Sequence, residues 1–199
     1  PGMTLRNDGT GKFTDITATA KIDETPNHTV ALVPTDYDNR RDVDVLLVNY
    51  GAPADLLSNQ RDGSFRNVGR EVGLDAQGHG TSVAAGDVNK DGFTDFFFGS
   101  VDASGLFAIS DGQGRFKSVG APPVSKGASA AQFIDYDNDG LLDCLMLTID
   151  GLRVLRNVGG EWLDVSDRAV ARDLTSVAKI DASSRTLASG DLDGDGDTD

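Results

Sequence analysis

The sequence predicts an all-β protein, a β-propeller built from blades of four strands. Three observations lead to this fold. An acidic loop of nine residues recurs four times, starting at residues 36, 87, 135 and 191, so the repeat is about 50 residues long. Short apolar runs flank the loops, and a second hairpin pattern follows each of the first three. Four short strands in a repeat of this length are typical of a propeller blade.

The loop from residue 135 to residue 143 shows the pattern in full. Carboxylates occupy its positions 1, 3, 5 and 9, and Gly140 at position 6 allows a sharp turn. Acids this close together raise one another's pKa unless a cation lies between them. Oxygen donors without His or Cys favour calcium, and the carbonyl of residue 7 completes such a loop. The predicted ligands are Asp135, Asp137, Asp139, Leu141 and Asp143.

Two further loops keep this pattern and are predicted to bind calcium as well. In the loop at residues 87–95, the oxygen donor at position 3 is a neutral amide, and the predicted ligands are Asp87, Asn89, Asp91, Phe93 and Asp95. The loop at residues 191–199 carries an acid at every ligand position. Its predicted ligands are Asp191, Asp193, Asp195, Asp197 and Asp199.

The first loop, at residues 36–44, departs from the pattern. Arg40 stands where the fifth-position acid belongs, and Arg41 replaces the turn glycine. A guanidinium repels calcium and can form two hydrogen bonds with a carboxylate. We therefore predict a degenerate loop without metal, held by an internal ion pair, in which the missing glycine disfavours the tight turn. The acids concerned are Asp36, Asp38 and Asp44.

Strands are predicted on both sides of each loop. The runs at 30–33, 82–85 and 130–134 precede the first three loops and are apolar enough to be buried on both faces. Apolar runs at 43–48, 96–98 and 144–147 follow them. Position 12 of the loops is Leu47, Phe98 or Met146, whereas an EF-hand requires Glu, so these flanks do not form an EF-hand.

The second hairpin pattern contains a turn rich in Asp, Asn and Gly and ends on an aromatic residue. One aromatic side chain per repeat predicts core packing between repeats rather than a ligand platform. These residues are Phe13, Phe65, Phe116 and Trp162. After the last of them, a helical turn is predicted near Ser166, with that residue as its N-cap.

The repeats place residues 1–199 in a single propeller segment. We predict a partial blade at about 1–22, three full blades at about 28–72, 79–124 and 127–169, and a partial blade at about 184–199. The ring is expected to be incomplete and truncated at both ends, with open blade edges that favour self-association. A calcium-binding β-solenoid is the alternative fold, although its units are nearer to nine residues.

Composition excludes several classes of protein. The net charge is −14, and the four loops hold four, three, four and five acidic residues, half of the 32 in the chain. No basic stripe is present for nucleic acid, and no run of 18 apolar residues forms a membrane span. Cys144 is the only cysteine, so there is no disulfide framework, and its apolar neighbours predict a buried thiol.

The blades resemble FG-GAP/VCBS repeats, which form the propellers of integrin α-subunits and occur in many secreted bacterial proteins. The segment 79–95 and the loop at 135–143 are most similar to the cartilage acidic protein (ASPIC/UnbV-associated) branch. The resemblance covers essentially the whole chain. It implies a ring of seven or eight blades, a secreted, extracellular or periplasmic location, and structural calcium at each intact loop.

The leading hypothesis for function is a non-catalytic, calcium-stabilised scaffold that binds a protein or glycan partner on one face, as in adhesion. The alternative is the propeller part of a secreted polysaccharide lyase or hydrolase, because a fold does not decide between these functions. Calcium sensing fits less well, since a rigid blade has no groove to expose. His28 and His79 lie eight residues before the first aspartate of their repeats and are expected to bond to backbone at the start of a strand.

Overall fold

The computed structural model describes residues 3–22, 28–75, 79–170, 186–190 and 193–194. Within these residues the chain forms three antiparallel sheets of four strands, here called blades 1 to 3, and one two-stranded hairpin. The hairpin consists of β1 (Leu5–Asn7) and β2 (Phe13–Asp15) and is followed by a helical turn, α1 (Thr17–Ala20). The predicted unit at 184–199 lies largely outside the described residues.

The three blades share one order of elements. Blade 1 contains β3 (His28–Thr35), β4 (Asp44–Tyr50), β5 (Asp55–Asn59) and β6 (Phe65–Asn67). Blade 2 contains β7 (Gly80–Gly86), β8 (Asp95–Ser100), β9 (Leu106–Ser110) and β10 (Phe116–Gly120), followed by a 3₁₀ turn at Pro123–Ser125. Blade 3 contains β11 (Ala130–Ile134), β12 (Asp143–Thr148), β13 (Gly151–Asn157) and β14 (Trp162–Asp164), followed by the helical turn α2 (Ser166–Ala169).

Each strand of a blade pairs with the next strand along the chain, so every blade is an antiparallel meander. The first strands of successive blades are neighbours, because β3 contacts β7 and β7 contacts β11. This arrangement is that of propeller blades around a common axis, with the first strand of each blade innermost. The predicted all-β fold of four-stranded blades is therefore confirmed, and the described blades do not close a ring.

The hydrophobic cores lie between the blades. Side chains of β8 point alternately to its two neighbours: Phe96 and Phe98 pack into a core with blade 1, and Phe97 packs into a core with blade 3. All three phenylalanines are buried. This alternation follows from the two-residue period of a strand, so the apolar run that follows the acidic loop contributes to two interfaces at once.

The predicted packing of the hairpin aromatics holds in blades 2 and 3. The Trp162 ring stacks on Phe107 of blade 2, with a centroid distance of 4.1 Å, and the Phe116 ring lies 6.4 Å from that of Tyr37 in the loop of blade 1. Phe65 is only partly buried. For Phe13 the prediction is wrong, since its side chain is 58% exposed. Its hairpin is a separate two-stranded sheet, and two strands offer little apolar surface for burial.

Three further predictions can be compared with the structure. Strand β3 is not buried on both faces, because Val30 and Leu32 are exposed on it, and among the described blades only blade 2 packs against this strand. The helical turn near residue 166 is present, but it begins at Ser166 with Val165 as N-cap, and the Ser166 hydroxyl instead accepts the backbone N–H of Val154. Cys144 is fully buried, as predicted.

Candidate metal centres

The acidic loops connect the first and second strands of each blade, and their first aspartate organises the turn. Both carboxylate oxygens of Asp87 accept backbone N–H groups, from Asp91 at 3.1 Å and from Gly92 at 2.7 Å. Asp36 and Asp135 accept the equivalent pairs of N–H groups in their own loops. The three described loops therefore share one backbone conformation, including the loop that lacks the turn glycine.

The backbone angles explain why this turn is possible. Position 4 has positive φ in all three loops, and it is filled by Asn39, Lys90 and Asn138. Position 6 also has positive φ, which Gly92 and Gly140 adopt readily. Arg41 takes the same conformation, with φ of +63°. The missing glycine was predicted to disfavour the tight turn, yet the turn forms, and the Arg41 N–H donates to Asp36 Oδ2 at 2.8 Å.

The ninth-position aspartates are fully buried and join the loop to the third strand of the blade. One oxygen of Asp44, Asp95 and Asp143 accepts the backbone N–H of Asn59, Ser110 and Asn157, respectively, at 2.7–2.8 Å. Burial outweighs these bonds, raising the pKa of Asp44 and Asp95 to about 6 and also raising the pKa of Asp143. A carboxylate charged at neutral pH in this position calls for a nearby cation.

In the third loop, side-chain oxygens of Asp135, Asp137 and Asp143 lie within 4.8 Å of one another. Asp139, which was predicted as a ligand, is not in this group. Its Oδ1 accepts the N–H of Leu141 at 2.9 Å and its Oδ2 accepts a hydrogen bond from Arg156 at 3.0 Å. Both bonds lower the pKa of Asp139, the bond from Leu141 more strongly.

The first loop brings together more acids than the sequence pattern indicates. Asp36, Asp38 and Asp44 are joined by Asp42, with an oxygen of each within 4.8 Å of the others. Asp42 stands at position 7, where the loops at 87–95 and 135–143 are expected to use a backbone carbonyl, so it was counted among the acids of the loop but not among its predicted ligands. The predicted internal ion pair is present, since Arg40 Nε lies 2.7 Å from Asp38 Oδ2.

In the second loop, the side chains at positions 3 and 5 bond to each other. The side-chain oxygen of Asn89 accepts the backbone N–H of Asp91 at 3.0 Å, and its amide donates to Asp91 Oδ2 at 3.0 Å. The N–H of Phe93 donates to Asp91 Oδ1, which fixes residue 7 in the turn. Across the described part of the chain, no Lys or Arg forms an ion pair with the acids of this loop.

Most of the fourth loop lies outside the described residues. This applies to four of its five predicted ligands, namely Asp191, Asp195, Asp197 and Asp199. Asp193 and Gly194 are described, and Gly194 at position 4 has φ of +80°, as position 4 does in the other loops.

The chemistry of the donors fits a hard divalent cation. The two groups of converging side chains offer carboxylate oxygens without nitrogen or sulfur, which is the donor set of calcium. In the first loop, buried Asp38 Oδ1 and Asp42 Oδ1 receive no hydrogen bond from the described residues. Because buried carboxylate oxygens are rarely left without a partner, the first loop, which was predicted to lack metal, can hold a metal ion as well.

The two histidines lie at the other end of the blades. His28 begins β3, and His79 forms an isolated bridge with Tyr50. The His79 ring stacks on Tyr50 at 5.4 Å, and its Nδ1 lies 2.7 Å from Asp102 Oδ2. The expectation that the imidazole bonds to backbone is therefore wrong for His79, which contacts a carboxylate and an aromatic ring.

Comparison with known proteins identifies the repeat. The profile of the FG-GAP-like repeat matches residues 36–98, 87–146 and 135–199, and each match begins at the first aspartate of a loop. These matches cover most of the chain, which therefore belongs to the family of FG-GAP-like repeat proteins.

One curated relative carries the same resemblance. The chain is similar to cartilage acidic protein 1 of Xenopus tropicalis, with 28% identity over 106 residues. The match covers 50% of this chain but only 16% of that protein. No helix among the described residues is long and apolar enough to cross a membrane.

Proposed function

We propose that this chain is part of a non-catalytic, calcium-stabilised extracellular or periplasmic scaffold for binding or adhesion. The observation that carries the proposal is the convergence of carboxylates in the equivalent loops of blades 1 and 3. FG-GAP repeats often bind calcium and are typical of extracellular binding domains. The ninth-position acid connects each loop to the third strand of its blade, so a cation there would hold three strands together.

Calcium has a structural role in this proposal. Without the ion, repulsion between the acids of each loop opposes folding. A ligand present at about 100 times its dissociation constant stabilises the folded state by roughly 2.7 kcal/mol per site. We therefore expect the melting temperature to rise with added calcium and to fall when EDTA is added.

Calorimetry of the chain in EDTA, in calcium and in magnesium tests this role. The D87N variant removes one first-position ligand and should reduce the calcium-dependent shift. D62N is the matched control, because Asp62 is an exposed acid whose carboxylate accepts hydrogen bonds from Ser64 within a hairpin turn. A melting temperature that is identical in calcium and in EDTA would contradict the structural role.

The face opposite the metal loops supports the binding role. Tyr50, Val101 and Ile149 each come six residues after the ninth-position acid of their blade, at the far end of the second strand. They are 48%, 49% and 69% exposed. The same position is thus exposed and apolar in all three described blades, and we propose that a protein or glycan partner binds at this rim.

The non-catalytic character can be tested separately. The chain is incubated with anionic and neutral polysaccharides in calcium, and unsaturated products and new reducing ends are measured. We expect neither product to exceed the level of a heat-denatured control. Calcium-dependent cleavage would overturn the proposal in favour of a polysaccharide lyase or hydrolase.

A further inference from the structure

Arg156 places a positive charge in the third metal loop from outside it. The residue lies on β13, and its Nε is 2.7 Å from Asp137 Oδ2. Its Nη2 is 3.0 Å from Asp139 Oδ2. One guanidinium therefore engages two of the acids that the sequence pattern assigns to the metal. An arginine side chain keeps its charge at working pH, so this positive charge is fixed.

In the first loop, a guanidinium contacts the equivalent atom, Oδ2 of the third-position acid, but it belongs to a residue of the loop itself. Arg40 comes from within the loop, and its Nε lies 2.7 Å from Asp38 Oδ2, the third-position acid. Its Nη2 donates to the Ser58 hydroxyl at 3.1 Å. Ser58 is the structural equivalent of Arg156, because each directly precedes the residue whose N–H bonds to the ninth-position acid. The two arginines thus contact the third-position acid of their loops, Arg40 from within the loop and Arg156 from the neighbouring strand.

The second loop has neither feature. Its fifth position is Asp91, and the strand position equivalent to Arg156 is Ile109, which precedes Ser110. Within the described segments, the three loops therefore differ in how the third-position ligand is engaged: by an arginine of the loop, by no arginine, and by an arginine of a neighbouring strand.

We infer that Arg156 is an internal competitor for calcium in the third loop, which makes this site weaker than it would be without the guanidinium. The inference rests on the proposed function. A cation bound to Asp137 and Asp139 would lie within a few ångströms of the guanidinium, and like charges at that distance repel. The Arg156 side chain is 37% exposed, so it can turn towards solvent when calcium binds.

In the metal-free protein, the contact of Arg156 with Asp137 and Asp139 is favourable. Arg156 then neutralises two acids that would otherwise repel each other, and it stabilises the loop. Removing it should strengthen calcium binding and at the same time destabilise the metal-free protein. A residue with only a packing role would not change the two measurements in opposite directions.

The experiment exchanges the residue at this one strand position. R156S introduces the residue of blade 1, R156I introduces the residue of blade 2, and R156K keeps the charge without the planar guanidinium. The matched control is R153S, since Arg153 lies on the same strand and donates to the Asp150 carbonyl, away from the loop. Calcium is titrated by calorimetry into each variant with and without D135N, and the difference assigns the third loop.

We expect R156S and R156I to bind calcium about tenfold more tightly in the third loop than the unmodified chain. The calcium affinity of R156K should lie between that of these two variants and that of the unmodified chain. R153S should leave the affinity unchanged. In EDTA, the melting temperatures of R156S and R156I should fall below that of R153S.

Two results would overturn the inference while leaving the proposed function intact. One is an unchanged third-loop affinity in R156S and R156I, with calcium binding that D135N still abolishes. The other is weaker binding in both variants, which would make Arg156 a support of the site. If no loop binds calcium in any variant, the proposed function fails and the inference fails with it.

Discussion

Arg41 occupies the sixth position of the first loop in a left-handed conformation, where the other described loops have glycine. A side chain in this conformation crowds the following carbonyl and costs roughly 1–2 kcal/mol. The N–H bond from Arg41 to Asp36 offsets part of that cost. The first loop therefore has the same backbone conformation as the other two described loops, although Arg41 is strained in it.

We expect Arg41→Gly to raise the free energy of unfolding by up to about 1 kcal/mol, because glycine adopts positive φ without strain. Denaturation with urea in EDTA measures this. The reciprocal control is Gly92→Ala, which should destabilise by a similar amount, since an added Cβ there meets no neighbouring atom and only the backbone strain remains. A loss of stability in Arg41→Gly would contradict the interpretation.

The buried aspartates predict an unusual pH dependence. Asp44 and Asp95 have a folded-state pKa of about 6, above the ordinary value of 3.8, because they are buried. The folded protein therefore binds these protons more tightly than the unfolded chain. In EDTA, we expect the urea midpoint to rise as the pH is lowered from 7 to 5. A midpoint that falls across this range would contradict the prediction.

Two comparisons separate this effect from other titrations. Hydrogen bonds from Thr10 and Ser64 lower the pKa of Asp8 and Asp62, so their stabilising effect is lost only at a lower pH, below 3.8. In saturating calcium the urea midpoint should instead fall as the pH is lowered from 7 to 5, because protons then compete with the ion for the same carboxylates.

At the scale of elements, the interface between blades 2 and 3 depends on aromatic stacking. Phe107 of β9 lies between two aromatic neighbours: its ring is 5.1 Å from Phe97 of its own blade and 4.1 Å from Trp162 of the next. Phe107 is fully buried. This residue joins the third strand of one blade to the fourth strand of the following one.

Phe107→Ala should destabilise the protein by about 3–5 kcal/mol, because it removes a buried ring and leaves a cavity. Phe13→Ala is the matched control, since the exposed ring of Phe13 should contribute less than about 0.5 kcal/mol. Chemical denaturation followed by tryptophan fluorescence is suited to this test, because Trp162 stacks directly on Phe107. If both variants lost the same free energy of unfolding, the prediction that the interface between blades 2 and 3 stabilises the protein would be wrong.

The acidic loops could be predicted from the sequence, but the charged side chains that contact them from other strands could not. Asp87 bonds to N–H groups four and five residues along the chain, so its role is visible in a local pattern. Arg156 lies 17 residues from Asp139 in the sequence, and its position depends on the register between β12 and β13. Contacts between strands of this kind cannot be derived from the spacing of acids alone.

At the scale of the whole molecule, successive acidic loops contact one another. The side-chain amide of Asn39, at position 4 of the first loop, donates to the carbonyl of Gly92 in the second at 2.8 Å. Lys90 occupies position 4 of the second loop and approaches Gly140 in the third so closely that a Cβ added there would meet the Lys90 Nζ at 2.8 Å. Position 4 of one loop thus contacts position 6 of the next.

This contact predicts that the loss of one ion affects both neighbouring loops. In calcium, D87N should increase amide hydrogen exchange most at residues 87–95 and to a smaller extent at 36–44 and 135–143, because local openings extend through contacting segments. Exchange followed by mass spectrometry measures each segment. An increase confined to residues 87–95 would show that the loops respond independently.

The placement of the cores between blades has a consequence for how such a chain can lengthen or shorten in evolution. Phe96 and Phe98 complete a core with the preceding repeat, and Phe97 completes a core with the following one, so no single repeat encloses its own apolar side chains. Inserting or deleting one whole repeat replaces one junction with another of the same kind. Inserting a single residue in β8 would exchange the side chains that face the two neighbours and disrupt both junctions. Natural variation in this fold should therefore occur in steps of a complete blade.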